Sequence, residues 1–288
     1  MLTLSGHEDA VRCLSYSPDG KTIASGGEDH TVRLWDLGAG GMLTATLQHP
    51  ASVEALVFSP DGKKLITGTA RGQLFAWNLV SKRAGLPEPG HAGGFRCLVH
   101  SADGSSLFSA GWDQSVQMWG AVSLHPQRIF QQGLSCTALA LAPEGKILAA
   151  GSEDGTIRLY DCDKLKVTAL IKGRLPIFAL AWSPDGRFLA SGHADGTVLI
   201  RHEAQSPTTL RGHDWTIYSL AFTPDGRTLI SGGADGTVRL WNVATGQERH
   251  CFRWHTRWVT CVAVSPDGMT AAAGSADRSI VVWDLDDV

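Results

Sequence analysis

The sequence predicts an all-β chain in which seven four-stranded antiparallel sheets form a closed ring. Three observations carry this expectation. One turn motif recurs seven times, one aromatic position recurs at steps of 40 to 42 residues, and the composition suits short strands joined by tight turns. The turn is Ser-Pro-Asp-Gly at Ser17, Ser59, Ser183 and Ser265, with variants starting at Ser101, Ala142 and Thr223. The aromatic position is Trp35, then Trp77, Trp119, Tyr160, Arg201, Trp241 and Trp283, so that Arg201 alone breaks the series. With 33 Gly and 12 Pro among 288 residues, 43% hydrophobic and 18% charged, the repeats read as one domain over 1–288.

Each unit presents its elements in one order. A His precedes an apolar alternation, Val11 to Ser17 in the first unit, which reads as a strand. Pro-Asp-Gly then closes a hairpin, because Pro fixes φ at the first corner and Gly accepts the positive φ that follows. A second alternation, Lys21 to Ser25, runs into a Gly/Asp turn and then a third strand, Thr31 to Trp35. A looser fourth segment, Met42 to Leu47, completes the sheet. One such sheet exposes both faces, whereas seven packed radially cover one another. Residues 2–4 stand alone before the first His, and the last unit ends after its third strand, so the N-terminal strand is expected to complete the last sheet.

Bulk charge and motifs set further bounds. A net charge of -3 gives no reason to expect nucleic acid or an anionic membrane surface as a partner. The first residues lack a basic segment and a long apolar run, so the chain reads as soluble and cytoplasmic, with no membrane span. Six Cys form no CxxC pair; Cys13, Cys97 and Cys261 fall at equivalent repeat positions and read as small core residues rather than disulfide partners. No HExxH or P-loop occurs, and Gly38, Gly40 and Gly41 read as a loop. His30, His100, His125, His193, His202 and His250 are scattered, so neither metal nor cofactor is expected.

The stretches Gly6-His7 to Trp35-Asp36 and Gly212-His213 to Trp241-Asn242 resemble the WD-repeat family of seven-bladed β-propellers, and the resemblance covers the whole chain. It implies a protein-interaction platform without catalytic activity. It also implies a buried hydrogen-bond chain of His7, Ser25, Asp29 and Trp35, repeated as His91, Ser109, Asp113, Trp119 and as His213, Ser231, Asp235, Trp241. Ser, His and Asp could be mistaken for a nucleophilic triad, but three copies in repeat register indicate architecture. Unit two has Arg71 for the Asp and unit seven Ala273 for the hydroxyl. Unit four (Gln132, Ala150, Asp154, Tyr160) and unit five (Gly173, Ser191, Asp195, Arg201) depart furthest and are expected to be the least rigid.

The resemblance further marks positions around the channel mouth as partner-binding. The fifth residue after the His reads Arg12, Glu54, Arg96, Thr137, Phe178, Tyr218 and Thr260. Aromatics gather on units five to seven as Phe178, Trp215, Tyr218 and Trp258, with Trp112 on unit three and Arg12, Arg96, Arg174 and Arg257 at or near the same rim. Aromatic and Arg side chains are those that interfaces favour. The expected function is a non-catalytic scaffold holding another protein or a peptide on this face. The alternatives are a propeller enzyme with its site at the channel mouth, or the sensor module of a larger signalling protein. Glu54 is the only carboxylate of the fifth-residue set, which leaves acid/base or metal-assisted hydrolysis without its groups.

Overall fold

The computed structural model describes residues 1–131, 135–164, 166–202 and 206–287. Its strands form seven antiparallel sheets, one for each repeat. In the first, Val11–Tyr16, Thr22–Gly27, Thr31–Asp36 and Met42–Gln48 pair in that order from the channel outwards. The hairpin turns form as their chemistry requires. Asp19 accepts the Ser17 hydroxyl at 2.5 Å and the Lys21 N–H at 3.1 Å, while Gly20 takes φ 71°. The second sheet differs from the four-strand expectation, because its outer strand is split into Arg83–Ala84 and Glu88–Pro89. Pro87 and Pro89 lack the N–H that a continuous ladder would use.

The core lies between sheets rather than inside any one of them. Among the described residues, seven apolar clusters each join two successive blades. Strand periodicity explains this: neighbouring side chains point to opposite faces, so Leu34 packs in the seam with blade two and Trp35 in the seam with blade seven. The seven–one seam is closed as the sequence suggests. Leu2–Ser5 pairs antiparallel with Ser279–Asp284, setting Leu2 opposite Val282 and Leu4 opposite Ile280. Gly41 of blade one lies over this strand, so close that a Cβ there would come within 2.4 Å of Leu4.

All six cysteines are free thiols. Cys261 is buried and Cys13 and Cys97 are half-buried, each packed against the apolar cluster of a blade seam, in line with the expected core role. No helix among the described residues is long and apolar enough to cross a membrane.

Candidate functional site

The three complete tetrads form one geometry. In blade one, His7 Nε2 lies 2.7 Å from Ser25 Oγ, His7 Nδ1 2.8 Å from Asp29, and Trp35 Nε1 donates to Ser25 Oγ at 2.9 Å. A consistent assignment has Nδ1–H donating to the carboxylate and the serine hydroxyl donating to Nε2 while accepting from the indole. His91 and His213 repeat it, each 2.7 Å from its serine. Burial holds His7 and His91 below the ordinary imidazole range despite the opposing pull of Asp29 and Asp113. Ser25, Ser109 and Ser231 are fully buried, so no acyl substrate reaches their hydroxyls. The tetrads tie each entry loop to its sheet.

The incomplete copies show how each gap is met. In blade two, where Arg71 replaces Asp, His49 Nδ1 instead donates to the Leu47 carbonyl at 3.2 Å, and Thr67 and Trp77 both approach Nε2. Blade seven is not compensated: with Ala273 in place of the hydroxyl, His255 Nε2 and Trp283 Nε1 are buried with no hydrogen-bond partner among the described residues. Gln132 of unit four lies outside the described residues.

Blade five corrects one sequence expectation. Gly173 occupies the His position, and His193 occupies the position held by Gly27, Gly111 and Gly233 in the complete blades. Those glycines make room for the imidazole; a Cβ on Gly111 would fall 2.3 Å from the His91 ring. Blade five exchanges the two residues, and His193 Nε2 sits 2.9 Å from Ser191 Oγ. His193 is therefore a tetrad histidine rather than a scattered one. Arg201 replaces the indole and donates to Ser191 Oγ, so it is an engaged member of the chain.

The channel mouth is shaped by a repeated irregularity. In every blade the pairing of the first and second strands shifts by one residue at the fifth position after the His: Arg12, Glu54, Arg96, Thr137, Phe178, Tyr218 and Thr260. A bulge re-aims its extra side chain, and all seven line one cavity of about 440 Å³. Thr137 and Thr260 turn back into the ring, Thr260 donating to the Val11 carbonyl at 2.6 Å and Thr137 to that of Ile177. These two stitch adjacent blades, leaving five positions for a guest.

Phe178 and Tyr218 meet edge to face at 6.2 Å, and Tyr218 and Trp258 tilt together at 5.8 Å, a continuous ladder over blades five to seven. Trp215 is brought to the same face but makes no ring contact among the described residues and is 62% exposed. On blade three the Arg96 guanidinium lies 4.5 Å from the Trp112 ring centre. Arg12 pairs with Glu28, and a cavity of about 360 Å³ beside Arg12 is lined by Arg257 and Trp258. Burial raises the Glu54 carboxyl above its ordinary range, against the lowering influence of Arg12. No group of three His, Cys, Asp or Glu converges among the described residues.

The family model "WD domain, G-beta repeat" matches residues 1–36, 41–78, 86–120, 125–161, 166–201, 204–242 and 246–284. The chain belongs to the WD40 family. Shorter stretches are similar to individual proteins: 66% identity over 35 residues to Notchless protein homolog of Arabidopsis thaliana, 12% of this chain and 7% of that protein. Ribosome biogenesis protein BOP1 of Rattus norvegicus is 56% identical over 36 residues, 12% of this chain and 5% of its own length. Nuclear distribution protein PAC1-2 of Uncinocarpus reesii is 46% identical over 46 residues, 16% and 10% respectively. Each alignment spans about one WD40 repeat. What reading residue by residue missed in this WD40 chain was the exchange of Gly173 and His193, whose one signal was a glycine gained and a glycine lost within the same repeat.

Proposed function

We propose that this WD40 propeller is a non-catalytic scaffold that holds a peptide or partner domain at the channel mouth, and that it works in the cytoplasm. The observation that carries this is the Phe178–Tyr218–Trp258 ladder, three half-buried or exposed rings in one continuous row, two from bulged strands and the third from the loop that enters blade seven. Large, stiff, amphipathic rings at the centre of a surface are the anchors around which interfaces concentrate binding energy. The family, whose members are generally non-catalytic scaffolds, agrees with this reading. Two of the relatives above are linked by name to ribosome biogenesis or nuclear distribution, but one shared repeat carries no process to this chain.

The test is affinity capture from the cell of origin with four baits: the wild type, Phe178→Ala, Trp258→Ala and an opposite-face control, Lys63→Ala. Each anchor truncation should weaken capture by roughly 1 to 3 kcal/mol while circular dichroism stays unchanged. Partners that survive both truncations but disappear with Lys63→Ala would place function on the other face. Fractionation of the same cells tests the location.

A further inference from the structure

The channel mouth holds polar groups without partners, and their kinds are unequal. Arg96 has no hydrogen bond and no carboxylate within 4.0 Å among the described residues; its guanidinium carbon lies over the Trp112 ring, and its charge favours the ionised form of Glu54 at longer range. Arg12 is paired with Glu28 through one terminal nitrogen, yet its Nε is buried with no hydrogen-bond partner among the described residues. Among the described residues Glu54 is the single carboxylate in the cavity wall; it makes no hydrogen bond to them, and burial favours its protonated form. The other acids nearby are already engaged: Asp29 by His7 and the Glu8 N–H, and Asp113 by His91 and the Ala92 N–H.

Donors therefore exceed acceptors around one cavity that also receives the edge of the aromatic ladder. A cationic guest would face two guanidinium groups against one buried carboxyl. A carboxylate would find the opposite: Arg96, held over the indole, has N–H groups with no hydrogen-bond acceptor among the described residues, and a guanidinium can donate to both oxygens of a carboxylate at once.

We propose that the guest at the channel mouth is an acidic peptide segment, with an Asp or Glu side chain seated between Arg96 and Arg12 and an apolar neighbour lying on the Phe178–Tyr218–Trp258 ladder. This rests on the face assigned above and names its ligand. Glu54 then acts as a selectivity residue: it lines the same cavity, and in its ionised form it would oppose the carboxylate, whereas burial shifts it towards the neutral form that tolerates one.

The probe is a randomised dodecapeptide display library, panned on the full chain, followed by anisotropy with the fluorescein-labelled consensus peptide. Enriched sequences should carry Asp or Glu next to an aromatic or Leu. Changing that acid to its amide in the peptide should weaken binding about tenfold, in line with loss of a charge-assisted pair. In Arg96→Gln the acid and amide peptides should bind alike, whereas Glu54→Gln should bind the acid peptide at least as tightly as the wild type. Arg96→Lys separates charge from geometry, and should recover only part of the discrimination. Melting curves on each variant exclude misfolding.

A consensus rich in Lys or Arg that is lost in Glu54→Gln overturns the acidic guest while leaving the face in place. So does an acid preference that persists undiminished in Arg96→Gln. A library whose binders are unaffected by Trp258→Ala, or that yields none, fails the face itself and this proposal with it.

Discussion

Ala273 removes one oxygen from the seventh tetrad and leaves two buried nitrogens, His255 Nε2 and Trp283 Nε1, facing a methyl group. An unpaired buried polar atom is penalised by its lost hydration, so Ala273→Ser should stabilise the protein by about 1 kcal/mol, read as a higher denaturant midpoint with unchanged slope. A lower midpoint would mean that the seam between blades six and seven has no room for the hydroxyl. His49 supplies a pH test. With Arg71 where other blades have Asp, burial lowers its pKa from 6.5 to about 4. The unfolded chain then binds a proton that the folded chain rejects, so this contribution is complete above pH 6.5 and is lost as pH falls towards about 4. Its size is of the order of 3 kcal/mol. His49→Gln should flatten that part of the stability profile measured by denaturation at about pH 7, 5.5 and 4.5; parallel profiles would assign the proton to another group.

At the scale of strands and turns, the sequence was legible where an element depends on residue type and opaque where it depends on counting. Ser-Pro-Asp-Gly and its variants announced the first hairpin of every blade, because Gly in all seven and Pro in six answer a local dihedral demand. The bulges had no such signature: Arg12, Glu54 and Phe178 share no chemistry, and only the strand register shows that each is one residue too many. The resemblance singled out these same positions without giving that reason. The turns also form a ring of their own that repetition alone did not reveal. A Cβ added to Gly62 would lie 3.6 Å from Pro18, one on Gly104 3.8 Å from Pro60, and one on Gly268 3.3 Å from Pro224, each in the preceding blade. Gly145 has nothing within 4 Å, because blade three carries Ala102 where the other blades neighbouring such a glycine carry Pro. Ala102→Pro should fill that step and restrict the unfolded chain, raising stability by roughly 0.4 to 1 kcal/mol in thermal melts. A loss of stability would show that the Ala102 turn departs from the φ that proline imposes.

The whole ring closes through four residues. Leu2–Ser5 is the outer strand of the blade whose other three strands come from the far end of the described chain, so the ladder from Leu2–Val282 to Ser5–Ser279 joins the beginning of the ring to its end. Leu4 is 2% exposed and packs in the seven–one seam with Trp35, Ile280 and Val282, and Gly41 of blade one covers it from outside. The strand thus contributes a hydrogen-bonded edge to blade seven and an apolar surface to blade one. Removing residues 1–5 uncovers an unpaired strand, Ser279–Asp284, and opens the same seam that holds Trp258 beside Arg12. The truncated chain should melt at lower temperature and aggregate. Leu4→Asp, which keeps the backbone pairing but sets a charge in the seam, should do the same to a similar degree. A chain that melts normally after truncation would show that the seven blade seams hold the ring without its closing strand. Normal melting for Leu4→Asp alone would assign the closure to backbone pairing rather than to the apolar seam.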